Sequence, residues 1–276
     1  MNHRSELLLG PEALERLGRT RVILFGVGGV GSWCAEALVR SGIGHLTVVD
    51  SDLICVTNLN RQVQATAVNI GRSKVDELRG RLLSIRPDAD VLAIRKIYDA
   101  DSRDEFALDS YDYVIDAIDS LASKLDLIVS AYAARPVLLS SMGASCKLDP
   151  TRIRVDSIWR SARCPLARLV RQRLRRRGFD GDFLCVYSDE PVRPPHHVDT
   201  ICGTERCYCP RAAQGEEGAP EAHEWCSSKA QINGSVVHIT ASFGMFLAGL
   251  VIQQVAGSGS GQEPPGGVIA KNAIVT

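Results

Sequence analysis

Neither sign of charge is in excess: 32 Lys and Arg against 32 Asp and Glu leave a formal net charge of 0 over 276 residues. That balance argues against a wholesale nucleic-acid coat or a cationic membrane binder, and makes a local basic patch the place to look for polyanion contact. The apolar runs read as well short of the roughly 18–20 residues that cross a bilayer, so no membrane contact is expected. Met1 to Arg21 is charged and lacks an apolar core followed by a small-residue cleavage site, so no secretory signal is expected either. Nine cysteines, an odd number, without such a signal point to reduced thiols in a cytoplasmic protein. Paired C-x-x-C motifs and internal repeats are also missing. What is present, 45% apolar and 23% charged residues, is ample for a globular core and excludes disorder of the whole.

The order of segments predicts the fold class. After a polar lead-in with an amphipathic helix at Pro11–Leu17, the run Val22–Phe25 ends in glycines and reads as a buried parallel strand. A helix over Val30–Arg40, stopped by Gly42 and Gly44, leads to a second strand, His45–Asp50. A helix over Lys74–Ile85 ends at Arg86-Pro87. Further strands at Asp90–Ile94, Tyr113–Ile118 and Pro136–Ser140, with a helix at Ser123–Ala134, complete an alternation that means an α/β, doubly wound, mostly parallel (Rossmann-like) sheet. Past Gly143 the rhythm changes. An antiparallel extension begins at Thr151–Trp159, an Arg-rich helix follows at Ala167–Arg177, Gly178–Gly218 reads as loop, and Gly234–Val255 as a long apolar helix. We expect one domain over 1–256, with a nucleotide-binding half (1–143), a substrate and dimer half (144–256, loop insertion about 186–226), and a Gly/Ser/Pro-rich tail (257–276).

Gly26, Gly28 and Gly31 fit G-x-G-x-x-G between the first strand and its helix, with Gly29 inside the loop. Glycines there allow a tight turn and bring backbone N–H groups and a helix N-terminus close to phosphates. Asp50 ends the second strand, where a carboxylate would grip ribose hydroxyls. NAD is the default reading of that fingerprint. The next segment argues otherwise: beside a second carboxylate, Asp52, the residues Asn58, Asn60, Arg61, Gln62 and Lys74 supply cationic and amide groups suited to a triphosphate. Asp116 and Asp119 close the fourth strand, one expected to cap the following helix and the other to bind Mg²⁺.

The run from GVGGVGSWCAEALVRSGIG through VVDSDLICVTNLNRQ and GRSKV to VIDAIDSLASK resembles the ubiquitin-activating-enzyme-like superfamily of ATP-dependent adenylylating enzymes. SSMGASCKLDPTRIRV, CPLARLVRQRLRRRG and CVYSDEP resemble one branch, the tRNA threonylcarbamoyladenosine dehydratases, and the likeness extends from Arg4 to about Gly249. The resemblance implies that Gly26, Gly28, Gly29 and Gly31 pass under ATP, and that Asp50, with Asp52 nearby, holds the ribose. It implies phosphate contacts from Asn58, Arg61 and Lys74, with Gln62 adjacent, and Mg²⁺ on Asp119. Arg4 would reach across a homodimer to the partner subunit's ATP. The implied chemistry is adenylylation of the threonyl carboxylate of the modified adenosine beside the anticodon, followed by ring closure with loss of AMP. Adenylylation of the Gly-Gly terminus of a ubiquitin-like sulfur carrier is the alternative. An NAD-binding oxidoreductase is further off.

Cys202, Cys207, Cys209, His223 and Cys226 contain enough soft ligands for a zinc site, but their spacing departs from C-x-x-C pairs, and zinc is not predicted. Cys226 as a reactive thiol would imply a sulfur-transfer or redox partner; a plain loop thiol is the third reading. Cys34, Cys55 and Cys185 read as core, His238 as a satisfied core histidine, the His196-His197 pair as surface, and Trp33 as packed on the sheet. Arg168, Arg171, Arg173, Arg175, Arg176 and Arg177 concentrate positive charge on one helix, with Leu169, Val170 and Leu174 expected to pack inward. That favours RNA contact over a merely solvated face. Cys164 stands where the branch often has an acid before Pro-Leu-Ala, which weakens a catalytic role there.

Overall fold

Strand β1 (Arg21–Phe25) has every residue after Arg21 buried, as a central parallel strand covered on both faces must. It pairs in parallel with β2 (His45–Val49) on one side and β4 (Tyr113–Asp116) on the other. A computed structural model describes residues 3–194 and 233–257. With β3 (Asp90–Ile94), β5 (Val137–Ser141), β6 (Ile153–Ser157) and β7 (Leu184–Ser188), the sheet has seven strands in the order β3-β2-β1-β4-β5-β7-β6. Only β6 runs antiparallel, against β7. The order in which strands are added reverses between β1 and β4, and the crevice beyond their carboxyl ends is where such folds seat ligands.

Helices α2 (Pro11–Arg19), α3 (Gly31–Ser41), α4 (Lys74–Ile85) and α7 (Val237–Gly257) cover one face with Leu17, Cys34, Leu38, Leu78, Phe243 and Leu247. Helices α5 (Leu121–Ala134) and α6 (Pro165–Arg176) cover the other, together with Phe25 and the two rings edge-on to it, Tyr98 and Phe106. Helices α3 and α7 pack especially close. At Gly244 an added Cβ would lie 2.5 Å from the Val30 carbonyl oxygen and 2.8 Å from the Cys34 nitrogen, so only glycine allows that approach.

Several details differ from the sequence expectation. The lead-in holds two helices, α1 (His3–Leu9) and α2, broken at Gly10 with φ +83°. Strand β7 lies inside the stretch read as loop; its LCVYS run is buried by pairing with β5 and β6, a long-range effect that local turn residues around it conceal. Helix α7 spans 21 residues and is by length and composition apolar enough to cross a membrane, contrary to the short runs expected. In this fold Ile239, Phe243, Leu247 and Val251 are fully buried, so its apolar character is that of a core helix. On α6 the buried residues are Ala167, Val170 and Leu174, while Leu169 is exposed. His238 is exposed, its Nε2 2.9 Å from the Leu148 carbonyl. Cys34, Cys55 and Cys185 are buried free thiols as expected. His196, His197, Cys202, Cys207, Cys209, His223, Cys226 and the tail lie outside the described residues.

Candidate active site

The glycine loop is wedged between the ends of β2 and β4. Gly26 donates its N–H to Val49 (2.8 Å), and Ala117 donates to Phe25 (2.8 Å). Gly26 has φ +85°, and a Cβ there would come 2.7 Å from the Ala117 carbonyl oxygen. At Gly31 a Cβ would fall 1.9 Å from the Gly26 carbonyl, so both glycines are demanded by backbone passing over backbone. The N–H groups of Gly29, Val30 and Gly31 have no acceptor among the described residues and stand at the positive end of α3, a seat for phosphate.

Asp50 closes the loop from below, accepting the N–H of Val27 (2.8 Å) and of Asp52 (2.9 Å). Burial pushes its carboxyl up in pKa, against the pull of Lys74 and with a further push from Asp52. Lys74, first residue of α4, is only 5% exposed and gives its ammonium to Asp52 at 2.7 Å. Burial draws the Lys74 pKa down, yet Asp50, Asp52 and Asp119 outweigh it and the net direction is upward. Arg61 donates to the Thr57 carbonyl (2.6 Å) and to Asn60 Oδ1 (2.9 Å), while Trp33 Nε1 holds the Arg61 carbonyl (3.0 Å). Trp33 thus anchors the Arg61 loop; it does not serve mainly as sheet packing. Burial lowers the Arg61 pKa, and the opposing pull of Cys55 and Asp119 only partly restores it. Asp119 is exposed at the lip, close enough to act on both cations.

Asn58 spends its Oδ1 on the Cys55 N–H (3.0 Å), shaping the turn and leaving only its amide nitrogen for a ligand. Gln62 lies beneath Gly28, and its buried Oε1 has no hydrogen-bond partner among the described residues. Arg4 sits exposed on α1, and no hydrogen bond or ion pair joins it to the loop of its own chain among the described residues. Asp116 neither caps α5 nor faces the crevice: the N-cap position is Ser120, which makes no side-chain cap bond. Asp116 is instead fully buried in an ion pair with Lys124 (2.6 Å), with Ser140 Oγ donating to the same oxygen (2.6 Å) and Ile118 N–H to the other (3.0 Å). This knot fixes the 117–119 loop that carries Asp119. Lys124 and Ser140 escaped the sequence reading; the signal was a single lysine inside the apolar helix LASKLDLIV.

A loop with free backbone N–H groups, a carboxylate at the end of β2 and two cations beside an exposed acid are the groups from which a nucleotide site could be built. The ThiF family pattern matches residues 3–266. The chain belongs to the ThiF family. This ThiF-family chain is 34% identical over 253 residues, 90% of each chain, to the tRNA threonylcarbamoyladenosine dehydratase of Haemophilus influenzae. It is 40% identical over 187 residues (68% of this chain, 74% of the other) to that of Bacillus subtilis. Its fold is similar to the crystal structure of the E. coli tRNA N6-threonylcarbamoyladenosine dehydratase TcdA in complex with ATP, with TM-score 0.76, 28% identity, and 95% and 96% of the two chains covered. The branch of the superfamily named on sequence motifs is the one these relatives carry, and the doubly wound fold expected of it is the fold observed.

Proposed function

We propose that this chain is an ATP-dependent tRNA threonylcarbamoyladenosine dehydratase, acting as a cytoplasmic homodimer on the modified adenosine beside the anticodon. The observation that carries the reading is the meeting of Asp50, Asp52, Arg61, Lys74 and Asp119 around the glycine loop in a chain so similar to a dehydratase over nine-tenths of both lengths. The residues fit ATP: the loop has N–H groups for phosphate, and Asp50 keeps lone pairs for ribose hydroxyls beyond the two it gives to backbone. The orphaned Gln62 carbonyl offers an acceptor under the loop.

Among the described residues no group of three His, Cys, Asp or Glu is placed to hold a metal. Mg²⁺ does not need one, since one or two carboxylates plus phosphate oxygens suffice, and Asp119 is the carboxylate at the lip. When bound, Mg²⁺ would neutralise charge building on the departing pyrophosphate. Lys74, whose pKa is raised, and the Arg61 guanidinium do the same from the protein side. The threonyl carboxylate is already ionised, so it needs placement more than a base. Its oxygen bonds to the α-phosphorus as the bond to pyrophosphate breaks; a nucleophile within the same side group then displaces AMP and closes the ring. Arg4, exposed on α1, is free to serve the partner subunit's site. The test is exchange of labelled pyrophosphate into ATP. We expect exchange that requires tRNA carrying threonylcarbamoyladenosine; exchange driven instead by a Gly-Gly-terminated protein would move the chain to sulfur-carrier activation.

A further inference from the structure

We propose that the outer face of α6, with the aromatic cluster at its C-terminal end, is a docking rail for an RNA strand leading into the crevice. The proposal rests on the tRNA reading above. Residues 163–177 contain seven arginines and no acidic residue, in a chain of zero net charge. Because α6 buries Ala167, Val170 and Leu174, the helical period puts Arg168 and Arg176 together on the opposite side, about 12 Å apart. Arg173 and Arg177 are exposed beside them, and Arg171 alone turns inward to the Ser161 hydroxyl.

Several arginines elsewhere in the chain hold acids. Arg40 and Arg81 hold Glu36, Arg152 holds Asp189, and Arg160 holds Asp156. Arg168, Arg173, Arg176 and Arg177 make no ion pair among the described residues. Helix-dipole stabilisation accounts for cations in the last turn only; toward the N-terminal end, where Arg168 sits, it opposes them. Accumulated positive charge there answers to an anion outside the chain.

The far end of the rail is aromatic. The Arg175 guanidinium lies 5.3 Å over the Trp159 ring, whose Nε1 is fixed to the Gly181 carbonyl (2.8 Å). Gly181 in turn abuts Tyr132, which is 47% exposed and packs edge-on to Phe179 at 4.9 Å. Guanidinium and aromatic planes side by side stack unpaired bases, while neighbouring cations take the phosphates. The near end meets the site: Leu166 and Cys164 lie 3.7 and 3.8 Å from the Cβ position of Gly143, just beyond β5 and its Ser140. A 12-residue helix covers roughly 18 Å, the length of a few nucleotides running from the crevice outward. Phosphate charge together with stackable faces selects RNA over an acidic protein.

The experiment compares the full chain with Arg168→Glu/Arg173→Glu/Arg176→Glu, and with the corresponding Gln triple, using tRNA that carries threonylcarbamoyladenosine. Affinity is read against salt concentration, with the KM for tRNA and thermal stabilisation by ATP. We expect the slope of log affinity on log salt to fall by about 2–3, roughly 0.7–0.9 for each phosphate no longer neutralised. We expect KM to rise by about tenfold or more, with ATP stabilisation as in the wild type. A wild-type chain that dehydrates tRNA, alongside triples with unchanged slope and KM, overturns the rail alone. A wild-type chain that leaves tRNA unchanged overturns the dehydratase reading and the rail with it. If the triples lose affinity for polyglutamate but keep it for tRNA, the face belongs to a protein partner and the proposal fails.

Discussion

At the scale of single residues, the proposed mechanism divides its work between a buried cation, Lys74, and an exposed acid, Asp119. The raised pKa of Lys74 means that its ion pairing stabilises the fold fully below the ordinary lysine value, and that this is lost only as pH climbs through the higher folded value. The ammonium is therefore charged throughout the neutral range in which ATP is used. Asp119 is exposed, so Asp119→Ala should leave stability within about 0.5 kcal/mol while cutting pyrophosphate exchange by about a hundredfold or more. Unchanged exchange would remove Asp119 from the site. Glu190 offers a stability test away from the chemistry. Its Oε2 accepts the N–H groups of Leu148 and Asp149, both at 2.9 Å, and Oε1 pairs with Arg193 at 2.9 Å. Burial works against the ionised form, but these partners win and the pKa is pushed down to about 2. A depressed carboxyl stabilises above its ordinary value of 4.5 and loses that contribution as pH falls toward about 2. Glu190→Gln should then cost about 1–3 kcal/mol at neutral pH, and denaturant titrations should show the gap closing between those two values. A gap independent of pH would mean that shape, not charge, is what Glu190 supplies.

At the scale of elements, the packing of α3 on α7 sets the height of the glycine loop, because Val30 is at once the end of that loop and the neighbour of Gly244. Gly244→Ala should cost about 1–3 kcal/mol by overpacking against backbone and weaken stabilisation by ATP. Gly249→Ala, on the same helix with open space at its Cβ position, should be neutral or stabilising by about 0.5–1 kcal/mol. Equal melting temperatures for the two variants would contradict the packing account. The same elements show what a sequence reveals. Helix α4 and strand β3 keep the boundaries expected of them, since Ser73 caps one, Arg86-Pro87 stops it, and the other is a short apolar run, residues 91–94, opened by Asp90. Strand β7 was hidden because its partners β5 and β6 are distant in the chain, and only pairing makes five residues between loops a strand. The Asp116–Lys124–Ser140 knot was hidden for the same reason: its members come from β4, α5 and β5, and no local spacing announces that they meet.

At the scale of the whole molecule, a neutral chain has gathered along one helix arginines that meet no acid among the described residues, and has placed its buried ionic groups at the switch between β1 and β4. The G-x-G-x-x-G loop with Asp50, Arg61 and Lys74 was legible in advance, because a phosphate site formed from backbone and a few charges leaves a linear trace. The substrate was legible only through resemblance, since recognition of a modified base has no such trace. The most direct test of the central claim is mass spectrometry of nucleosides from tRNA carrying threonylcarbamoyladenosine after incubation with the purified chain, ATP and Mg²⁺. Loss of one water from that nucleoside, dependent on ATP and absent with Asp119→Ala, is the predicted result. ATP consumed with no change in the nucleoside mass would contradict it.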